Sequence, residues 1–152
     1  LAERGARAAG EVTGVYAKAR PNENGVAAGD GMPAFGAGGL RFAVNIGNDA
    51  NHPDLARRAQ QGGAALNCYP LNNQLPPATA EQWRERSIGN LVARARETGC
   101  WVASSDVAGA CGTQVSLGCT AVVSPEGTIR ARVPEGEAGR ILLDVHRPAS
   151  AD

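Results

Sequence analysis

A chain of 152 residues, 43% hydrophobic, with 15 Lys plus Arg balancing 15 Asp plus Glu, has the size and composition of one globular domain rather than of a disordered tail. No apolar run approaches the ~18 residues of a membrane span, and the first residues lack the apolar core of a secretory signal, so a soluble, cytoplasmic protein is expected. A net charge of zero, with Arg scattered among acids, argues against a nucleic-acid partner, because phosphate binding draws on clustered cations.

In chain order, Val12 to Lys18 reads as a strand, after which Pro21 and Gly25 stop regular structure. The glycines from Gly29 to Gly39 read as a flexible connector; no Lys-Ser/Thr follows them, so they do not make a phosphate loop. Arg41 to Ile46 alternates, with Phe42, Val44 and Ile46 on one face, and ends at Gly47. Asn51 or His52 is placed to cap a helix with Pro53 and Asp54 in its first turn and Leu55, Ala56 and Ala59 on its apolar face. Gly62 and Gly63 end that helix, and Ala64 to Tyr69 reads as a buried strand pairing in parallel with 41–46.

A polar loop runs to Pro77. Thr79 with Gln82 three residues on predicts a capping box opening a helix through Thr98, with Ile88, Leu91, Val92 and Ala95 as its buried stripe and Gly99 as its C-terminal cap. Cys100 to Ser104, Val115 to Ser124, Thr128 to Val133 and Arg140 to Val145 read as strands, with Pro125-Glu126-Gly127 a tight turn between two of them. The order describes an α/β layer structure with an antiparallel end and no internal repeat.

Every cation but one is arginine, and the exception is Lys18. A compact ammonium is not interchangeable with a planar guanidinium, so Lys18 is a candidate functional residue. The sharpest local feature is the strand-turn-helix at Ile46-Gly47-Asn48-Asp49, because nucleophiles are often placed at such a turn beside a helix N-terminus. Glycine suits a strained turn but has no side chain with which to attack. Asn48 and Asp49, beside the turn, are candidate substrate-binding residues.

The remaining chemistry-bearing residues offer less. Cys68, Cys100, Cys111 and Cys119 form no CxxC pair and no zinc-like spacing with histidine, so free thiols are expected. Cys68 follows the next strand, yet Leu66-Asn67-Cys68-Tyr69 brings no base or helix N-terminus to lower its pKa, and it reads as structural. His52 and His146 have no Ser or Cys partner at a recognisable elbow.

Val44-Asn45-Ile46-Gly47-Asn48-Asp49, followed by Pro53-Asp54-Leu55, resembles the segment around the catalytic cysteine of the nitrilase superfamily of carbon-nitrogen hydrolases, with Gly47 in the cysteine's place. Gly14-Val15-Tyr16-Ala17-Lys18 resembles the strand that delivers that family's catalytic lysine, and Glu23 lies near its supporting glutamate. Arg94-Ala95-Arg96-Glu97, and Gly118-Cys119-Thr120 leading to Pro125-Glu126-Gly127, resemble two further segments in the same order, with Thr120 where serine is usual.

The resemblance implies part of a four-layer α-β-β-α sandwich whose N-terminal portion is missing, with 1–146 a partial domain and 147–152 a tail. It implies attack by a cysteine thiolate on a small-molecule amide or nitrile, glutamate as general base, Lys18 stabilising the developing negative charge, and no metal or organic cofactor. It also implies a homo-oligomer. Two departures follow. Gly47 forms no thiolate, and only seventeen residues precede Lys18, too few to carry the base glutamate, which makes Glu3 and Glu11 unsuitable. The chain opens on Leu1, with Met32 its only methionine, so a processed chain or fragment is expected, inactive as it stands or serving as a non-catalytic binding or assembly module.

Overall fold

The computed structural model describes residues 3–8, as backbone, and 11–145. Strands β1 (Glu3–Ala8) and β2 (Glu11–Ala17) form an antiparallel hairpin of their own, with an irregularity between Ala6 and Arg7. The sequence shows β2 but not β1, whose Arg- and Gly-bearing run has no two-residue apolar alternation. β3 (Phe35–Ala37) and β4 (Leu40–Val44) pair as a second hairpin. A tight turn of 3-10 helix, Gly47–Asn51, leads into α1 (Pro53–Gln61) and then β5 (Leu66–Pro70). α2 (Pro77–Thr98) is followed by β6 (Trp101–Ser105), the short hairpin β7 (Gly109–Cys111) and β8 (Gln114–Ser116), then β9 (Ala121–Val123) and β10 (Ile129–Arg132).

The main sheet has six strands in the order β10-β9-β6-β5-β4-β3. Its centre, β4-β5-β6, is parallel, as two strand-helix-strand units require, and the strands outside it pair antiparallel. Side chains alternate across a sheet, so one face gathers Ala43, Tyr69, Val102, Ala121 and Val123, all buried, and α2 lays Ile88, Leu91 and Ala95 on this face. Ala59 of α1 packs on Ala43 and Ala64. On the opposite face Tyr16 of β2 packs with Phe42 and Val44, and beyond them Val44, Cys68 and Ala103 line a broad opening among the described residues. One helix layer on one sheet is half of the expected four-layer arrangement.

Several expectations are corrected. α2 begins at Pro77 behind Pro76 with no side-chain cap, so the Thr79–Gln82 capping box does not form; proline's preset φ at the first helical position starts the helix two residues sooner. Val115–Ser124 is not one strand but two, β8 and β9, separated at 117–120, where Gly118 adopts a positive φ of 79°. Arg140–Val145 forms no strand despite its apolar alternation, and Leu142 is 97% exposed, because no neighbouring strand among the described residues satisfies its backbone. The glycine-rich connector contains β3 and is tied down: the Gly29 N–H donates to the Lys18 carbonyl at 2.9 Å. His146 and the 147–152 tail lie outside the described residues. Among the described residues, no helix is long and apolar enough to cross a membrane.

Candidate active site

Parallel strands collect loops at their C-terminal ends, and ligands in open α/β sheets bind there. Gly47 follows β4, Asn73 follows β5 and Asp106 follows β6, so one edge of the sheet carries all three. A cleft of ≈ 320 Å³ opens at this edge, lined by Lys18, Glu23, Gly47, Asn48, Asn73 and Trp83 among others.

Lys18, just past the end of β2, is 3% exposed. A buried ammonium needs partners, and it donates to Glu23 Oε1 at 2.6 Å and to Asn22 Oδ1 at 3.5 Å. Glu23 is half-exposed; its hydrogen bond from Lys18 holds the carboxyl below its ordinary range. Glu23 Oε2 also accepts the Asn22 N–H, at 3.0 Å, so the pair is fixed by local turn geometry. The two residues singled out in the sequence are thus brought together as an ion pair at the cleft.

Gly47 has φ +51°, a left-handed conformation that glycine adopts at no steric cost. A Cβ at this position would stand 3.3 Å from Lys18 Nζ. The lone lysine and the turn glycine, 29 positions apart in sequence, therefore meet in one site.

The two neighbours of Gly47 divide their roles. Asn48 lines the cleft, while its Nδ2 donates to the Arg20 carbonyl at 2.9 Å and its Oδ1 accepts from Asn51 Nδ2 at 2.9 Å. Asp49 is a correction. It is 1% exposed and does not line the cleft. Its carboxylate accepts the Tyr16 hydroxyl at 2.8 Å and the N–H groups of Arg20 and Ile46 at 2.8 Å each, so it clamps the turn to the end of β2 instead of contacting a ligand. Burial, followed by the hydrogen bond to Asp49, raises the Tyr16 hydroxyl above its ordinary pKa and keeps it a donor.

Three further residues position the site. Arg94, on α2 and 6% exposed, donates to the Ala50 carbonyl at 3.2 Å and to Glu97 Oε1 at 2.9 Å, tying the helix to the 3-10 turn. Asp106 accepts from the Asn73 N–H and side-chain amide; burial pushes its carboxyl upward against these bonds. Thr120 Oγ1 accepts the Asp106 N–H at 3.0 Å. In the sequence, the Arg94 and Thr120 segments stand out by resemblance, whereas Asn73, Trp83 and Asp106 carry no local pattern.

The cysteines do not substitute for a nucleophile at Gly47. Cys68 sits mid-strand and burial pushes its thiol up to about 11; Cys119 is pushed to about 12 and Cys100 upward, for the same reason first. His52 opens α1 without a side-chain cap, its ring 3.4 Å from Asn48 Nδ2. Among the described residues, no group of three or more His, Cys, Asp or Glu is arranged to hold a metal.

A family model for carbon-nitrogen hydrolases matches residues 6–151. Among solved structures, an amidase from Nesterenkonia sp. is 27% identical with a TM-score of 0.74, covering 86% of this chain and 49% of its own. Another structure of the Nesterenkonia sp. AN1 amidase carries acrylamide added at its active-site cysteine. A carbon-nitrogen hydrolase from Helicobacter pylori G27 (19% identity, TM-score 0.76, 85% of this chain and 51% of that one) and Saccharomyces cerevisiae Nit3, of the nitrilase superfamily (22%, 0.74, 85% and 47%), share the fold. A search of curated protein sequences finds no significant match. The chain spans about half the length of the solved structures it resembles. With the family model matching nearly end to end, on a fold shared with these enzymes, the chain belongs to the carbon-nitrogen hydrolases of the nitrilase superfamily.

Proposed function

We propose that this chain is an amidase- or nitrilase-type domain that binds a small amide or nitrile in the Lys18 cleft and does not hydrolyse it unaided. The observation that carries this reading is the 3.3 Å between Lys18 Nζ and the Cβ position of Gly47. A thiolate borne there would attack the amide or nitrile carbon, forming a C–S bond. The Lys18 ammonium would hold the negative charge developing on the substrate. From an amide the C–N bond then breaks and ammonia or an amine leaves, whereas the adduct of a nitrile takes up one water before ammonia leaves; a further water releases the acid and restores the thiol.

Gly47 supplies no thiolate. Loss of the nucleophile from such a catalytic unit costs about a millionfold in rate, or about 8 kcal/mol, which a retained lysine cannot offset. Purified chain mixed with simple amides or nitriles should release no ammonia above background. Turnover that survives Lys18→Ala would show the site to be elsewhere.

A second reading, a non-catalytic assembly module, is favoured by the open sheet face at Val44, Cys68 and Ala103. It gives homo-oligomers, which light scattering across a concentration series would detect, and Ala103→Glu should weaken them. A chain that stays monomeric throughout would remove this reading.

A further inference from the structure

The reading above leaves Asn73 and Asp106 unused. Asn73 lines the same cleft as Lys18. Its backbone N–H donates to Asp106 Oδ1 at 3.0 Å and its Nδ2 to Oδ2 at 2.8 Å. The Val107 N–H also donates to Asp106 Oδ1, at 2.9 Å, and the Asp106 backbone N–H donates to the Thr120 hydroxyl at 3.0 Å. An ionised carboxylate accepts hydrogen bonds and donates none, so reversing the Asn73 amide would set oxygen against oxygen. The orientation of that amide is thereby decided by Asp106. Asn73 Oδ1 is the polar atom left over. Among the described residues no group donates to it, and it is not among the atoms buried without a partner, so it retains access to solvent on a residue that lines the cleft.

We propose that Asn73 is a specificity-determining residue of this cleft and Asp106 its positioning residue, so that the cleft selects a primary carboxamide over the matching nitrile or carboxylate. The inference rests on the ligand-binding reading of the cleft. Lys18 donates to an amide oxygen, a nitrile nitrogen or a carboxylate, to the charged carboxylate most strongly, and so does not favour the amide by itself. An unpartnered acceptor on a residue lining the cleft does. The amide brings an N–H to Asn73 Oδ1, the nitrile has none to bring, and the carboxylate presents lone pairs to a lone pair. The half-exposed Glu23 adds a repulsion that only the carboxylate meets.

The test is a titration of the isotopically labelled chain with butyramide, butyronitrile and sodium butyrate, followed by amide-resolved NMR. Butyramide should bind about tenfold more tightly than either analogue and shift the Asn73 side-chain NH2 resonances. Asn73→Ala should bring the three ligands together, by weakening the amide and not the others. Asp106→Asn, whose own amide is able to donate to Asn73 Oδ1, should also narrow the gap. Equal binding of all three to the unmodified chain overturns the inference, as does an Asn73→Ala variant that weakens all three by the same factor. Either result leaves the cleft reading standing. Binding of none of them overturns the cleft reading and the inference with it. The ranking in the unmodified chain decides the matter even where a variant does not fold.

Discussion

Lys18 Nζ lies 3.3 Å from the point where a side chain on Gly47 would begin. That contact is close, but the neighbour is the flexible end of a lysine, which yields by tenths of an ångström. A cysteine introduced there would hold its sulfur beside a cation, and a neighbouring ammonium favours the thiolate. The Gly47→Cys variant should therefore be alkylated at neutral pH well before Cys68, Cys100 and Cys119, whose thiols burial pushes upward. Peptide mapping by mass spectrometry against pH measures this directly, in a Cys111→Ser background because Cys111 is exposed. Turnover should stay low, since no base glutamate has been placed; full activity in this variant would reveal a base among the residues present. The left-handed φ costs the new residue about 1 kcal/mol of stability.

Asp49 makes three hydrogen bonds from a position with no solvent to replace them. Asp49→Ala strands a hydroxyl and two N–H groups, at a cost of about 3 kcal/mol or more, while Tyr16→Phe removes two bonds, to Asp49 and from the Ala19 N–H, and costs about 2 kcal/mol. Urea unfolding of both variants gives the order. Equal losses, or none for Asp49→Ala, would show that the clamp is not what holds the turn.

Gly29 approaches the end of β2 so closely that a Cβ would stand 2.5 Å from the Ala17 carbonyl oxygen. That oxygen is backbone and gives way only by moving the strand end that carries Lys18. Gly29→Ala should cost about 1–3 kcal/mol and weaken any ligand of the cleft. Calorimetric melting with ligand titration checks both effects; an unchanged melting temperature would mean that the connector does not brace Lys18.

Glu23 has a folded-state pKa below its ordinary 4.5, held there first by the hydrogen bond from Lys18. A depressed carboxyl stabilises the fold above the unfolded-state pKa and loses that contribution as pH falls through the folded value. Denaturant midpoints should therefore decline from about pH 5 downward, and Glu23→Gln should flatten that limb of the profile. The carboxyl is half-exposed, so the change is small. Coincident profiles would show that the pair contributes nothing to stability.

Much of the frame was legible in local pattern. The Pro53 start of α1, the α2 stripe of Ile88, Leu91 and Ala95, with Val92 half-buried beside it, and the Gly99 cap are short-range effects and appear as read, whereas in β4 the buried side is that of Ala43, not that of Phe42 and Val44. The other failures share a cause. β1, β3 and β7 are strands because a partner strand satisfies their backbones, and Arg140–Val145 is not one because, among the described residues, no partner does. Hydrogen bonds between distant segments leave no periodic mark on either one.

The site divides along the same line. The sequence by itself determined that Lys18 is singular and that a turn stands at Gly47, since composition and strand-to-helix punctuation are local properties. Only the tertiary structure decided that they meet, that Asp49 faces inward to Tyr16 instead of outward to a ligand, and that Asn73 is turned by Asp106. Each of those outcomes depends on which loops the parallel strands bring to one edge, and that ordering is a property of the packed sheet, not of any segment within it.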